Sequence, residues 1–189
     1  MLLKATMKQG VTHNMHYVAI VCPLQINEKV LRCKQWMKEQ FGCVVALKSP
    51  AHITLVPPFW LEEAKQTQLQ EVLGSFTSDL PETTINLEGF DHFRKQVLFI
   101  NVKENMVLKE LKKEAEAHFS EGFSNRIKKE NRLFHPHITI ANRDMKPSHF
   151  EEAWEYFSKK EFKETFSIKT ISLLKLEEGK WNAIDRKMW

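Results

Sequence analysis

The sequence lacks the features that mark several large classes of protein. Its three cysteines, Cys22, Cys33 and Cys43, are odd in number and include no C-x-x-C pair, so we interpret them as reduced thiols. No apolar run approaches the length that spans a membrane. The first fourteen residues also lack the apolar segment of a signal peptide. These absences favour a cytoplasmic protein without a membrane partner.

Charge of neither sign dominates the chain. Its 28 Lys and Arg residues against 24 Asp and Glu residues give a net charge of +4, which permits an anionic substrate without requiring one. The 189 residues, 42% of them hydrophobic, suit one compact domain or a closely fused pair of lobes. We expect a monomer in which residues 1–14 form a disordered extension and residues 15–189 form a single bilobal domain.

Strands and helices are interspersed without regular alternation. Apolar residues at steps of three and four predict a helix over residues 25–41. Strands are predicted at 43–47 and at 51–56, and the second is expected to end at Pro57 because proline cannot continue a hydrogen-bonded ladder. In the C-terminal tail, Glu178 and Gly179 indicate a hairpin turn. The pattern favours an α+β fold with antiparallel sheets.

A short sequence repeat is the most informative feature of the chain. His52-Ile-Thr54 and His137-Ile-Thr139 are each followed by an aliphatic residue, and they lie 85 positions apart, each in a predicted strand. Side chains at positions i and i+2 of a strand point to the same face. Each strand therefore presents an imidazole and a hydroxyl on one face and aliphatic side chains on the other, as the wall of a cleft requires.

Two such strands supply the groups that open a cyclic phosphate. One neutral imidazole takes a proton from the attacking water, and the other, protonated, gives a proton to the departing ribose oxygen. The two threonine hydroxyls can donate hydrogen bonds to the phosphate oxygens. This chemistry needs no metal.

The paired motifs resemble those of the 2H phosphoesterase superfamily, in particular its 2′-5′ RNA ligase or RNA 2′,3′-cyclic phosphodiesterase branch. The resemblance extends over nearly the whole chain from about Met15 and includes the segment GFDHFRKQVLFINV at residues 89–102. It implies two duplicated lobes whose antiparallel sheets face each other across a central cleft, with helices outside. It also implies that the two histidines and two threonines are catalytic, and that the substrate is an RNA or nucleotide with a 2′,3′-cyclic phosphate or a 2′,5′ linkage.

One departure from the family pattern concerns the substrate. Relatives in the RNA branch often carry an arginine or lysine a few residues after the second motif, whereas here Ala141 and Asn142 intervene and Arg143 comes one position late. An odd shift reverses the direction of a strand side chain, so Arg143 contacts substrate only if the strand has already ended. The shift weakens the assignment of the substrate more than that of the two-histidine chemistry.

Other residues are candidates for substrate binding. They are aromatic, basic or imidazole side chains near the motifs: His135, Phe59, Arg94, Arg132 and Arg143. Arg132 belongs to a basic stretch that is either an RNA-binding wall or a solvated loop. His135 shares a predicted face with His137, which raises the alternative of a zinc site. No cysteine or carboxylate pattern completes such a site, so we expect neither metal nor cofactor.

Two other functions remain open on the sequence alone. A binding module could keep the cleft and bind RNA or a nucleotide without turnover. A 2′-5′ RNA ligase could use the same two histidines in the reverse direction.

Overall fold

A computed structural model describes residues 11–127 and 132–189. These residues form eight strands, four α-helices and two short 3₁₀ helices. The strands are β1 (His13–Val21), β2 (His52–Glu62), β3 (Thr83–Phe93), β4 (Val97–Val102), β5 (His137–Ala141), β6 (Lys163–Ile168), β7 (Thr170–Glu177) and β8 (Lys180–Met188). The α-helices are α1 (Leu24–Phe41), α2 (Gln66–Ser75), α3 (Met106–Gly122) and α4 (Pro147–Ser158), and the 3₁₀ helices are Val45–Lys48 and Glu63–Lys65.

The strands form two antiparallel sheets of four strands each. One has the order β2-β1-β7-β8 and the other the order β5-β4-β3-β6. In each sheet a strand-helix-strand unit, β1-α1-β2 or β4-α3-β5, places the strand that begins with a motif histidine at the edge. The predicted α+β fold with two antiparallel sheets is confirmed.

The two motif strands bring the sheets together. β2 and β5 contact each other, and each helix of a strand-helix-strand unit packs on the motif strand of the other unit, α1 on β5 and α3 on β2. The aliphatic side chains between the motif residues, Ile53, Leu55, Ile138 and Ile140, are buried in the shared core. The alternation read from the sequence therefore sets which face of each motif strand is buried.

The strand predicted at residues 43–47 is wrong, because Val45–Lys48 form a 3₁₀ helix. A carboxylate oxygen of Asp144 accepts hydrogen bonds from the backbone N–H groups of Val44 and Val45, at 2.6 and 2.8 Å. Asp144 lies just after β5, about a hundred residues further along the chain. A long-range contact therefore overrides the strand preference of the local sequence.

The predicted end of β2 at Pro57 is also wrong, since β2 continues to Glu62. Within the described residues β2 is an edge strand paired with β1 on one side, so a proline there can have its missing N–H on the side away from the ladder. The register also shifts here, because Val56 lies opposite Val18 and Phe59 lies opposite His16. This bulge accommodates both prolines without ending the strand.

The predicted start of the folded domain and the predicted C-terminal turn can both be compared with the structure. β1 begins at His13, so the predicted boundary after residue 14 lies two residues too late; residues 1–10 fall outside the described part of the chain. The predicted C-terminal turn is confirmed: Glu178 and Gly179 join β7 to β8 with φ values of 49° and 77°. None of the described helices is long and apolar enough to cross a membrane.

Candidate active site

Both motif histidines are held by the same local hydrogen bond. Nδ1 of His52 lies 2.8 Å from the carbonyl oxygen of Pro50, and Nδ1 of His137 lies 2.8 Å from that of His135. A carbonyl can only accept, so each Nδ1 carries the hydrogen that donates to it. In the neutral ring, Nε2 is then the atom with a free lone pair. The two imidazoles therefore share one tautomer and one reactive atom.

His52 is half-buried, and its neutral form is favoured. Burial lowers the pKa of His52 to about 4, while the hydrogen bond to Pro50 opposes this effect and the charges of Lys34 and His137 lower the pKa as well. The His52 ring also packs on Tyr17, with centroids 4.9 Å apart.

Helix α1 fixes the segment that carries the Pro50 carbonyl. The ammonium of Lys34 donates to the carbonyl of Ser49 at 2.9 Å. The side-chain oxygen of Asn27 accepts from the N–H of Ala51, and its nitrogen donates to the carbonyl of Cys22, both at 2.6 Å. These contacts tie the residues before His52 to α1 on both sides of Pro50. The orientation of the His52 ring is thereby coupled to a rigid element.

A cleft of about 930 Å³ lies at the junction of the sheets. Thr54, His137 and Thr139 line it, and the His52 imidazole lies beside it rather than on its wall. The His137 ring rests on two aromatic rings, those of Phe93 and Phe99, each with a centroid distance of 5.0 Å. Residues from both motifs thus line one cleft, but the His52 imidazole, which was expected on its wall, is not among them.

The further binding candidates divide into two groups. His135, Arg94 and Arg132 line the cleft. Phe59 does not, because its side chain is 5% exposed and belongs to the core. Arg143 is exposed and is not part of the cleft wall, although β5 has already ended at Ala141; the neighbouring Asn142 lines the cleft instead.

Two lysines near the site were missed by the sequence analysis. Lys112 of α3 lines the cleft, is 5% exposed and pairs with Glu116 at 3.1 Å. Lys34 of α1 is 3% exposed, and burial lowers its pKa to about 8. Each occupies a position within the apolar stripe of its helix. A charged residue at such a position is a signal that could have identified both.

Among the residues that the structure describes, no group of three or more His, Cys, Asp or Glu side chains is arranged to hold a metal ion. The cleft carries positive groups instead, with Arg94, Arg132 and Lys112 on its walls. Cationic walls suit a substrate that carries phosphate.

The fold and the paired histidines define a two-histidine phosphoesterase class of protein. A family model described as the 2′-5′ RNA ligase superfamily matches residues 23–180, and the chain belongs to that superfamily. A candidate phosphoesterase of Geobacillus thermodenitrificans is 27% identical over 139 residues, which cover 72% of this chain and 76% of the relative. A similar candidate phosphoesterase of Geobacillus kaustophilus is 26% identical over the same shares of both chains.

Solved structures show the same fold. LigT of Escherichia coli complexed with 3′-AMP superposes with a TM-score of 0.65 at 19% identity, over 94% of this chain and 98% of that chain. A crystal structure of a phosphoesterase gives a TM-score of 0.63 at 20% identity, over 94% and 98% of the two chains. The MHV ns2 PDE domain gives 0.53 at 15% identity, over 85% and 99%. At these identities the likeness establishes the fold alone.

Proposed function

We propose that this protein is a phosphodiesterase that opens the 2′,3′-cyclic phosphate of an RNA or nucleotide end by two-histidine acid–base catalysis. The observation that carries the proposal is the meeting of the two motif strands at one cleft, with each histidine held in the same tautomer. The names of the relatives support a phosphoesterase. LigT was crystallised with 3′-AMP, ATP and NADP⁺, which favours a nucleotide as substrate here.

The environments of the two rings suggest different roles for them. His52, whose pKa is lowered, is neutral at pH 7 and takes a proton from water through Nε2. The water oxygen forms a bond to phosphorus as the bond to one ribose oxygen breaks. His137 in its protonated form gives the Nε2 proton to that departing oxygen. Proton exchange with solvent then returns both rings to their starting forms.

The cleft walls stabilise the charge that develops on the phosphate oxygens. The hydroxyls of Thr54 and Thr139 are on the same strand faces as the two histidines and can donate to these oxygens. Lys112 contributes a positive charge from within the protein, where an electrostatic interaction is stronger than in water. Arg94 and Arg132 attract the anionic substrate from the rim.

The test is hydrolysis of a nucleoside 2′,3′-cyclic phosphate in the presence of EDTA. We expect turnover by the wild type and a loss of kcat of about 10²–10⁴-fold in each of His52→Asn and His137→Asn. His149→Asn is the matched control, because His149 lies on α4 and is not part of the cleft wall. Full activity of either motif variant would contradict the mechanism, and activity that EDTA removes would contradict its independence of metal.

The same experiment separates the two other functions. A binding module would bind the cyclic nucleotide or RNA in a salt-dependent way and release no product. A ligase would join a 5′-hydroxyl end to a cyclic-phosphate end, the reverse of the cleavage of a 2′,5′ linkage, and would lose that activity in the same histidine variants. The cytoplasmic location and the monomeric state stay predictions.

A further inference from the structure

A second groove of about 740 Å³ lies beside the segment that holds His52, and it shares no lining residue with the catalytic cleft. Pro50, whose carbonyl accepts the hydrogen bond from His52, and Val21, which pairs with His52 in the sheet, both line it. Residues in direct contact with His52 therefore form part of the groove wall.

The strand register shows which side chains share this surface. Thr54 lies opposite Ala19, Ala19 opposite Ser172, and Ser172 opposite Arg186. Residues paired across neighbouring strands point to the same face. Arg186 on the outer strand β8 thus projects from the same face as Thr54, three strand spacings or roughly 14 Å away.

Aromatic rings join the catalytic histidine to the outer strand. The His52 ring contacts Tyr17 at 4.9 Å, and Tyr17 contacts Trp181 edge-on at 4.6 Å, so the His52 and Trp181 rings lie within about 10 Å of each other. Trp181 is half-buried and lines the groove. The Tyr17 hydroxyl is buried and makes no hydrogen bond within the described part of the chain. A half-exposed indole at this distance is a platform on which a base can stack.

The groove is also basic. Arg186 and Lys169 line it, both exposed, and neither forms a salt bridge with any residue that the structure describes. No Asp or Glu side chain lines the groove. An aromatic platform beside uncompensated cations is the chemistry that binds single-stranded nucleic acid, through stacking on the base and ion pairing with the phosphate.

We propose that this groove binds the nucleotide next to the cyclic-phosphate end, with its base on Trp181 and its phosphate at Arg186, so that the enzyme acts on RNA strands in preference to mononucleotides. This inference rests on the proposed phosphodiesterase activity and specifies its substrate class. Thr54 lines the catalytic cleft and Pro50, four residues earlier, lines the second groove, so the terminal nucleotide would occupy the cleft while the preceding one occupies the second groove.

The test compares kcat/KM for a nucleoside 2′,3′-cyclic phosphate and for an oligonucleotide that ends in the same group. The wild type should prefer the oligonucleotide, and Arg186→Gln should lower kcat/KM for it about 10-fold while leaving the mononucleotide unchanged. Trp181→Ala should lower kcat/KM about 10-fold more for the oligonucleotide than for the mononucleotide, since Trp181 also packs on Tyr17 beside His52. Arg186→Gln should also reduce the salt dependence of kcat/KM for the oligonucleotide. Lys180→Gln is the control, because Lys180 is exposed on β8 and adjacent to Trp181, hence on the opposite face.

The outcomes distinguish the two proposals. Equal use of both substrates, with no change in either variant, would overturn the second-groove proposal and leave the phosphodiesterase intact. A similar loss on both substrates would also overturn it, since the two residues would then act on the fold or on the reaction itself. Absence of turnover on both substrates by the wild type would instead remove the proposed activity.

Discussion

At the scale of single residues, two lysines are buried at helix positions where the hydrophobic pattern predicts apolar side chains. Apolar residues recur at helical spacing in both α1 and α3, but Lys34 and Lys112 occupy positions within the stripes that this spacing assigns to the core. A buried ammonium is costly unless a partner or a function retains it. Lys34 has the Ser49 carbonyl and Lys112 has Glu116. The motif residues were predictable because the chemistry repeats; the lysines were missed because the helical pattern was read from its apolar residues alone.

Lys34→Met is expected to raise the pKa of His52. Methionine has a similar length and no charge, so the variant keeps most of the packing and removes one cause that lowers this pKa. The acidic limb of the pH profile of kcat/KM should therefore move to higher pH. Proton NMR titration of the His52 ring gives the direct measurement.

Lys38→Met, one turn further along α1 on an exposed position, is the control and should leave the titration unchanged. An unaltered His52 titration in Lys34→Met would show that the Lys34 charge does not act on the ring. The lost hydrogen bond to Ser49 should lower the free energy of unfolding by about 1–3 kcal/mol.

The lowered pKa of His52 also predicts how stability depends on pH. Below the ordinary value of 6.5, the unfolded chain binds a proton at this histidine more readily than the folded protein does, so stability falls as the pH drops from 6.5 toward about 4. His52→Asn should show a smaller fall over that window. Urea denaturation at several pH values between 7 and 4 measures both slopes.

Some pH dependence should remain in His52→Asn, because burial also lowers the pKa of His16. The stability of the double variant His52→Asn/His16→Asn should depend still less on pH than that of His52→Asn, provided that the double variant folds. Equal slopes in wild type and His52→Asn would mean that His52 titrates alike in the folded and unfolded states.

At the scale of elements, the hairpin between β3 and β4 holds a basic residue against its backbone preference. Arg94 has a φ of 54°, in the left-handed region that favours glycine, and it lines the cleft. His92 contacts the Arg94 carbonyl through Nδ1 and helps to fix this turn. A strained backbone at a cleft residue is a reason to test whether the charge of its side chain contributes to activity.

Arg94→Gly and Arg94→Gln are expected to separate the effect of backbone strain on stability from the effect of the side-chain charge on activity. Both should lower kcat/KM for an oligonucleotide substrate by several-fold, because both remove the cation at the rim. Only the glycine variant should gain stability, by up to about 1 kcal/mol, since glycine adopts this φ without strain. Thermal unfolding and steady-state kinetics measure the two effects.

Lys95→Gln serves as the control for charge, because Lys95 is adjacent in the same turn, lies outside the cleft wall and pairs with Glu151. If it lowered kcat/KM as much as Arg94→Gln does, the effect would belong to the overall field of the loop and not to Arg94.

Secondary-structure elements that are determined by their own residues were predictable, whereas those that depend on contacts with residues distant in sequence were not. The turn between β7 and β8 follows from Gly179, which adopts a positive φ without strain. The continuation of β2 past Pro57 depends on its position at a sheet edge, which only the assembled sheet determines. The 3₁₀ helix at Val45–Lys48 depends on Asp144 from the other unit.

At the scale of the whole molecule, the site exists only because two sheets are held together at their edges. Neither motif strand carries the complete chemistry, and α1 and α3 each cross to the opposite motif strand. The C-terminal strands β7 and β8 return to the first sheet and supply the surface that extends from His52 to Arg186. The repeat predicted two equivalent strands and one cleft. It did not indicate that the chain's end completes the first sheet, since this depends on pairing between distant segments.

Asp144→Ala tests whether the connection between the two units positions the catalytic strands. Asp144 lies just after β5 and holds the N–H groups of Val44 and Val45, which lead into β2, so its carboxylate joins the ends of both motif strands. Removing it leaves two N–H groups without their acceptor and should lower the free energy of unfolding by about 1–3 kcal/mol. It should also lower kcat/KM, because small displacements of catalytic groups weaken catalysis strongly.

Asp144→Asn keeps an oxygen that can accept one of these hydrogen bonds, so it should recover part of both losses. Asp79→Ala is the control, since Asp79 is exposed in the loop after α2 and its removal should change neither quantity. Urea denaturation and kcat/KM should be measured on all three variants at pH 7. If Asp144→Ala matched Asp79→Ala in both, the packing of α1 and α3 across the junction would suffice to align the two histidines. If it lost stability but kept kcat/KM, Asp144 would secure the fold without positioning the site.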